Sequence, residues 1–147
     1  MAGCVCGCRW LVVYPLELHI VHSKEGLTPE DAYSRTQGLA VLAAMFTLSP
    51  NDNPALDHVL DTINVINHTP NHMAQVFHPY ALASLLPDDV RRFYRYDGSL
   101  TTPVCNEAAI WTLEKLRSLD DGHGRRLQNN YRNPQPLNGR KVYRSFL

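Results

Sequence analysis

Polar and apolar residues nearly alternate at residues 17–22, which read Glu-Leu-His-Ile-Val-His. Side chains of a β-strand point to its two faces in turn, so Glu17, His19 and Val21 share one face and the other three residues share the opposite face. A histidine that binds a metal usually has its second ring nitrogen held by a carboxylate or a carbonyl. The segment therefore predicts a strand that can aim His19 at a metal ion with Glu17 beside it.

Two longer patterns follow this strand. Leu39 to Leu48 is a nearly continuous apolar run between Gly38 and a Ser-Pro-Asn turn, which favours a strand buried on both faces, with a helix as the alternative. Residues 54–67 have apolar side chains at positions 56, 59, 60, 63 and 66 after a proline, the spacing of an amphipathic helix. Because its polar face shows no candidate chemistry, we expect this helix only to pack against a sheet.

The remaining segments are short and separated by turn signals. Residues 23–38 are polar with two glycines and a proline, which predicts a loop between strands. Apolar or strand-like stretches occupy residues 81–86, 92–98, 110–113 and 142–147. Many short strands and few helices predict a mainly β (α+β) fold.

Composition limits the size and the partners of the protein. The 147 residues, 44% hydrophobic and 19% charged, suit one globular domain. The 14 basic and 14 acidic residues cancel without a long run of one sign, so we expect neither a nucleic-acid nor a membrane partner. The start lacks the pattern of a signal peptide and no segment has the length of a membrane span, so the chain as written is expected to be cytoplasmic.

The four cysteines stand at positions 4, 6, 8 and 105. The spacing of Cys4, Cys6 and Cys8 does not match a Cys-x-x-Cys motif. We favour incidental thiols in a flexible start, with a disulfide to Cys105 and metal binding as alternatives.

Several segments together resemble the α-class carbonic anhydrases, and they occur in the same order as in that family. They are residues 17–22, 38–42, 85–87, 94–103 and 135–140. The resemblance covers about residues 14–147 and corresponds to roughly the C-terminal half of the family domain. Residues 1–13 resemble nothing we can assign, and we treat them as a separate N-terminal segment.

The resemblance implies a large, mostly antiparallel twisted sheet with peripheral helices, and a zinc enzyme that interconverts carbon dioxide and bicarbonate. His19 matches the third zinc-binding histidine of the family, and Glu17 matches the carboxylate that orients it. Thr101 matches the catalytic threonine whose hydroxyl accepts a hydrogen bond from the hydroxide nucleophile. Thr102 matches its neighbour at the bicarbonate site.

The resemblance also implies a binding surface for the substrate. Val21, Val41, Leu100 and Trp111 match the apolar wall against which carbon dioxide rests in the family. Without the resemblance, residues of these types would be interpreted as core.

Other parts of the family site have no match. The first two zinc ligands form a His-x-His pair on an upstream strand, and no histidine precedes His19. The glutamate that fixes the threonine proton and the histidine that shuttles protons also lie upstream in the family. We do not expect Cys4 and Cys6 to replace the pair, because no hairpin signal separates them from His19. The other six histidines, at 22, 58, 68, 72, 78 and 123, are expected at the surface or in loops.

The sequence departs from the family pattern in three ways. Val104 replaces the second proline of a pair at which the family uses a cis peptide bond, so we expect the loop carrying Thr101 to take another path. The segment between Trp111 and Asn129 is shorter than in the family. Cys105 matches a cysteine that secreted relatives pair with one near their N-terminus, and that partner is absent here. The match points to an extracellular ancestry but not to present export.

These observations lead to the hypothesis of a truncated or variant carbonic anhydrase whose 147 residues do not bind zinc stably and do not hydrate carbon dioxide alone. Two alternatives stay open. One is a non-catalytic binding module that keeps the fold of the family. The other is an incomplete product that does not fold stably alone, because unpaired strand edges favour aggregation.

Overall fold

Five strands form one sheet in the computed structural model, which describes residues 14, 16–66, 73–76, 78–119 and 136–147. The strands are β1 (Leu16–Ser23), β2 (Leu39–Leu48), β3 (Phe93–Gly98), β4 (Ala109–Leu119) and β5 (Tyr143–Arg144). The helices are α1 (Pro29–Ser34) and α2 (Asp57–Ile66), with 3₁₀ turns at Pro54–Leu56 and Leu82–Leu85. The predictions for residues 1–13, including the cysteine cluster, lie outside the described residues.

The sheet mixes antiparallel and parallel pairs, in the order β1-β2-β4-β3-β5. β2 runs antiparallel to β1 and parallel to β4, while β3 runs antiparallel to both β4 and β5. The connection between the parallel strands contains α2 and β3. The predicted mainly β fold with few helices is confirmed.

β2 is the strand buried on both faces that the apolar run predicted, and it lies between β1 and β4. Val41 and Ala43 belong to one buried cluster, whereas Ala44 and Phe46 belong to a second. Because this strand packs on both faces, its sequence is continuously apolar rather than alternating. The strand interpretation is therefore confirmed, and the helix alternative is wrong.

The predicted loop at residues 23–38 contains the short helix α1, so that prediction is wrong for Pro29–Ser34. The Thr28 hydroxyl accepts a hydrogen bond from the backbone N–H of Asp31 at 3.2 Å, which caps the helix. Proline at the first helical position and acidic residues in the first turn add to this start signal. A Cβ on Gly38 would lie 2.2 Å from the carbonyl oxygen of Ala32, so only glycine fits where β2 approaches α1.

The predicted amphipathic helix is present as α2, preceded by the 3₁₀ turn Pro54–Leu56. The Asn53 side chain accepts a hydrogen bond from the N–H of Ala55 at 3.2 Å and caps the turn. Leu56 and Val59 pack into the cluster that contains Ala44. Among the described residues, no helix is long and apolar enough to cross a lipid bilayer.

Glu114 is a buried carboxyl group in the middle of β4. It is 7% exposed and lies opposite Ala44, next to the second apolar cluster. Its Oε2 atom has no hydrogen-bond partner among the described residues. Burial raises the pKa of the Glu114 carboxyl, because water no longer stabilises the charged form.

We predict that Glu114→Gln stabilises the chain at neutral pH. The pKa of Glu114 is higher in the folded than in the unfolded chain, so between these two pKa values the folded state binds more protons. The free energy of unfolding therefore falls as the pH rises from the lower to the higher pKa. The free energy of unfolding of the variant should exceed that of the parent by on the order of 1 kcal/mol at about pH 7. The two values should be equal below about pH 4, where the carboxyl is neutral in both the folded and the unfolded chain. Urea unfolding at both pH values measures this difference. The exposed Glu107→Gln is the control, and an advantage of Glu114→Gln that does not change with pH would contradict the prediction.

Candidate active site

His19 and Glu17 form a hydrogen-bonded pair on one face of β1. His19 Nε2 lies 2.8 Å from Glu17 Oε1, and the two side chains are 22% and 16% exposed. A carboxylate accepts and does not donate, so this contact places the imidazole proton on Nε2 and leaves the lone pair on Nδ1. Nδ1 is therefore the atom through which His19 can bind a metal ion.

Three of the predicted wall residues lie side by side on the same face of the sheet. The strand register pairs Val21 with Val41 and Val41 with Trp111, which forms a row across β1, β2 and β4. Val41 and Trp111 are almost fully buried, while Val21 on β1 is 52% exposed. Since alternate residues of β1 share a face, this apolar row lies beside the Glu17–His19 pair.

The indole ring of Trp111 is held in place by contacts on several sides. The His19 ring meets it edge to face, with ring centres 4.8 Å apart and planes at 76°. Its Nε1–H donates to the carbonyl oxygen of Ser99 at 3.0 Å. Tyr96 on β3 stacks nearly parallel to it at 6.5 Å. Sequence reasoning did not identify Tyr96, because its contact with Trp111 depends on the pairing of β3 with β4.

Gly98 leaves the space that the indole ring occupies. A Cβ on Gly98 would lie 2.8 Å from Cδ1 of Trp111 and 3.1 Å from a ring atom of Tyr96. Real Cβ atoms essentially never lie within 3.0 Å of another side chain's heavy atom, so a larger residue here would displace Trp111. The absence of a side chain at Gly98 therefore allows Trp111 to take its position in the site.

The remaining predicted site residues lie on the loop after β3. Leu100 packs against the cluster that contains Trp111, Thr101 is half-buried and Thr102 is exposed. The N–H of Leu100 donates to the carbonyl of Asn106, and the N–H of Cys105 donates to the carbonyl of Thr102, both at 2.8 Å. These two bonds close the loop on itself.

The expectation that Val104 diverts this loop is not met at the peptide bond itself. The bond between Pro103 and Val104 is cis, as the family pattern has it at this position. The Val104 side chain is 84% exposed and therefore contributes little to the packing of the loop. Cys105 is exposed, and within the described ranges it forms no disulfide bond.

The donor set fits only part of a zinc site. His19 offers one nitrogen with its orienting carboxylate, whereas a catalytic zinc uses three protein ligands and an open position. The described residues contain no group of three histidine, cysteine, aspartate or glutamate side chains that could hold a metal ion. A zinc ion at His19 would need further ligands from elsewhere.

Comparison with known proteins decides the family. The sequence model of the family described as eukaryotic-type carbonic anhydrase matches residues 12–146 of this chain. The chain belongs to the carbonic anhydrase family. It is 39% identical to "Putative carbonic anhydrase 5" of Caenorhabditis elegans over 88% of this chain, and 34% identical to human "Carbonic anhydrase 12" over 90%. "Carbonic anhydrase 15" of the mouse is 33% identical over 86%.

The chain spans less than half the length of these relatives. The matched regions cover 45%, 42% and 45% of the nematode, human and mouse proteins. The family match and the identities to these relatives confirm the resemblance found in the sequence. The roles of His19, Glu17, Thr101, Thr102 and the wall residues stay predictions.

We predict that Glu17 sets the tautomer of His19. In ¹H–¹⁵N spectra of the neutral imidazole, Nε2 should carry the proton and Nδ1 should show the shift of an unprotonated nitrogen. Glu17→Ala removes the acceptor at 2.8 Å and should give a mixture of both tautomers. Glu25→Ala, at an exposed loop position, is the control and should leave the spectrum unchanged. An unchanged His19 spectrum in Glu17→Ala would contradict this role.

We also predict that Gly98→Ala disturbs the apolar wall. The added methyl group would overlap Trp111 Cδ1, and overpacking of this kind costs about 1–3 kcal/mol. The Nε1–H resonance of Trp111 should shift, because the ring must move relative to its acceptor Ser99. Urea unfolding and ¹H–¹⁵N spectra measure the two effects. Parental stability together with an unshifted indole resonance would show that the space at Gly98 does not position the ring.

Proposed function

We propose that His19 is one of three zinc-binding histidines in a site for the reversible hydration of carbon dioxide. The observation that carries this proposal is the hydrogen bond between His19 Nε2 and Glu17 Oε1, which leaves Nδ1 available to a metal. Carbonic anhydrase membership supplies the reaction class. Zinc, when bound, supplies a hydroxide nucleophile at neutral pH.

The residues around His19 suit a small apolar substrate. Val21, Val41 and Trp111 form an apolar row beside the imidazole, with Val21 as its exposed end, and carbon dioxide needs no hydrogen-bond donor to rest against such a row. A dry surface also excludes water that would compete for the position. We assign the substrate-binding surface to these residues together with Leu100, which packs against the same cluster.

The polar part of the site is proposed on the loop that follows Leu100. Thr101 would accept a hydrogen bond from the nucleophile and orient it, and Thr102 would help to bind bicarbonate. Thr101 is half-buried and follows Leu100, which packs against the apolar cluster, whereas Thr102 is exposed. This difference suits one hydroxyl that acts inside the site and one at its entrance.

We further propose that the 147 residues alone neither hold zinc stably nor turn over substrate. One imidazole supplies a single ligand of the three that a catalytic zinc takes from the protein. The edge of β1 that faces away from β2 pairs with no other described strand. A strand with two further histidines could add to that edge by backbone hydrogen bonds and present them on the face of His19.

The experiment is complementation with the N-terminal half of a full-length relative that carries the His-x-His pair. Zinc per chain is measured by metal analysis, and carbon dioxide hydration by stopped flow. We expect neither zinc nor turnover from the 147 residues alone, and both after the two polypeptides are refolded together. A sulfonamide should block the recovered activity.

Two variants test the residue assignment in the same mixture. His19→Ala should abolish zinc binding and turnover in the complemented protein. His22→Ala is the matched control, because His22 is an exposed histidine on the opposite face of β1. Full activity of the 147 residues alone would contradict the proposed dependence on further ligands. Zinc retained by His19→Ala in the mixture would contradict the role of His19.

A further inference from the structure

Two basic segments that are far apart in the sequence meet where β3 pairs with β5. The segments are residues 91–96 and 140–147, and the two strands within them run antiparallel. Neither segment contains an aspartate or a glutamate. Together they carry six of the 14 basic residues of the chain, which are Arg91, Arg92, Arg95, Arg140, Lys141 and Arg144. The fold therefore concentrates positive charge that the sequence distributes over two short stretches.

Strand pairing and ring contacts place several of these side chains on one face of the sheet. Tyr94 lies directly opposite Arg144, so the two side chains share a face. The ring of Phe146 meets Tyr94 edge to face, with centres 5.2 Å apart and planes at 80°. The guanidinium carbon of Arg92 lies 4.9 Å from the centre of the Phe146 ring. Arg92, Tyr94 and Arg144 are exposed on this face, and Phe146 is half-buried.

Arg140 extends the same face along β3. Its guanidinium carbon lies 6.0 Å from the centre of the Tyr96 ring, and Tyr96 shares a face with Tyr94 because alternate residues of a strand do. Its Nε and Nη2 atoms donate to the carbonyl oxygens of Leu137 and Pro136, both at 2.9 Å. These bonds fix the guanidinium group without neutralising its charge, because a carbonyl group is uncharged. We call the following residues the arginine–aromatic surface: Arg92, Tyr94, Arg140, Arg144 and Phe146.

The segment that carries Arg144 and Phe146 is held in place by backbone contacts. The N–H of Phe93 donates to Oγ of Ser145 at 2.8 Å, and the N–H of Ser145 donates to the carbonyl oxygen of Phe93 at 3.0 Å. A partner therefore meets side chains whose backbone is already ordered, which lowers the entropy lost on binding.

The three arginines of the surface follow β3 at regular steps. Arg92 directly precedes the strand, Arg144 lies opposite Tyr94, and Arg140 lies over Tyr96. A strand rises about 3.3 Å per residue, so these three positions along β3 are about 6.6 Å apart. Alternate side chains of an extended peptide have the same spacing. Each guanidinium group can bind a carboxylate through two parallel hydrogen bonds.

We propose that the arginine–aromatic surface binds an extended peptide with acidic side chains at alternate positions. Tyr94 and Phe146 supply apolar contact between the arginines, a composition typical of protein interfaces. The 14 acidic residues of the chain balance its 14 basic ones, so a long polyanion would also meet repulsive charge elsewhere, whereas a short peptide stays on the surface. The inference does not depend on the proposed carbonic anhydrase activity.

The first test compares two fluorescein-labelled peptides of the same composition by fluorescence anisotropy. One contains Glu-Thr-Glu-Thr-Glu between glycines, and the other contains Glu-Glu-Glu-Thr-Thr. Only the first places three carboxylates on one face of an extended chain, and the second places two there. The alternating peptide should bind about fivefold more tightly, since one exposed ion pair more is formed. Equal dissociation constants would overturn the proposal, because attraction by net charge alone would explain them.

Variants then test the surface itself. The double variant Arg92→Gln with Arg144→Gln should raise the dissociation constant of the alternating peptide by about tenfold or more, because two of three ion pairs are lost. The matched control is Lys24→Gln with Arg35→Gln, which removes the same charge from exposed positions outside the surface and should leave the constant unchanged. Thermal unfolding checks that both chains keep the parental fold.

Two results with these variants would overturn the proposal. One is an unchanged affinity for the alternating peptide in a folded Arg92→Gln, Arg144→Gln chain. The other is tighter binding of a short DNA duplex or of phosphatidylserine vesicles through the same two arginines, because the partner would then belong to another class. The comparison of the two peptides uses the parental chain, so it decides the spacing argument even if a variant does not fold.

Discussion

The parallel pairing of β2 with β4 joins segments about seventy residues apart in sequence, and the arrangement of the site depends on it. The register sets Val41 beside Trp111, and the antiparallel pairing of β1 then adds Val21 to the same row. A parallel pair needs a long crossover, and the chain between these strands supplies α2 and β3. If the register slipped by one residue, the row would change faces and the surface beside His19 would be lost.

The hydrogen bond between Glu17 and His19 orients the imidazole beside that apolar row. An imidazole has two nitrogens, and we propose that the carboxylate two residues earlier on the same face, 2.8 Å from Nε2, leaves Nδ1 as the one that can bind a metal. Trp111 on β4 also contacts the His19 ring edge to face. The His19 ring thus has contacts from both β1 and β4 among the described residues.

Local patterns predicted the parts of this protein that depend on near neighbours in sequence. The pairing of Glu17 with His19 follows from the alternation of one strand, whereas helix α1 was missed although Thr28 and the residues after it carry a capping signal. The row that joins Val41 to Trp111 could not be derived from spacing, because strand register between distant segments leaves no local trace in the sequence. Only the resemblance to the family placed these two residues in one wall.

The most direct test of the account concerns the atom through which His19 binds metal. The complemented protein, with this chain labelled with ¹⁵N and the metal replaced by ¹¹³Cd, allows scalar coupling between the metal and each histidine nitrogen to be measured. The account predicts coupling to Nδ1 of His19, because Glu17 holds Nε2 at 2.8 Å. Coupling to Nε2, or a bound cadmium ion with no coupling to His19, would contradict it.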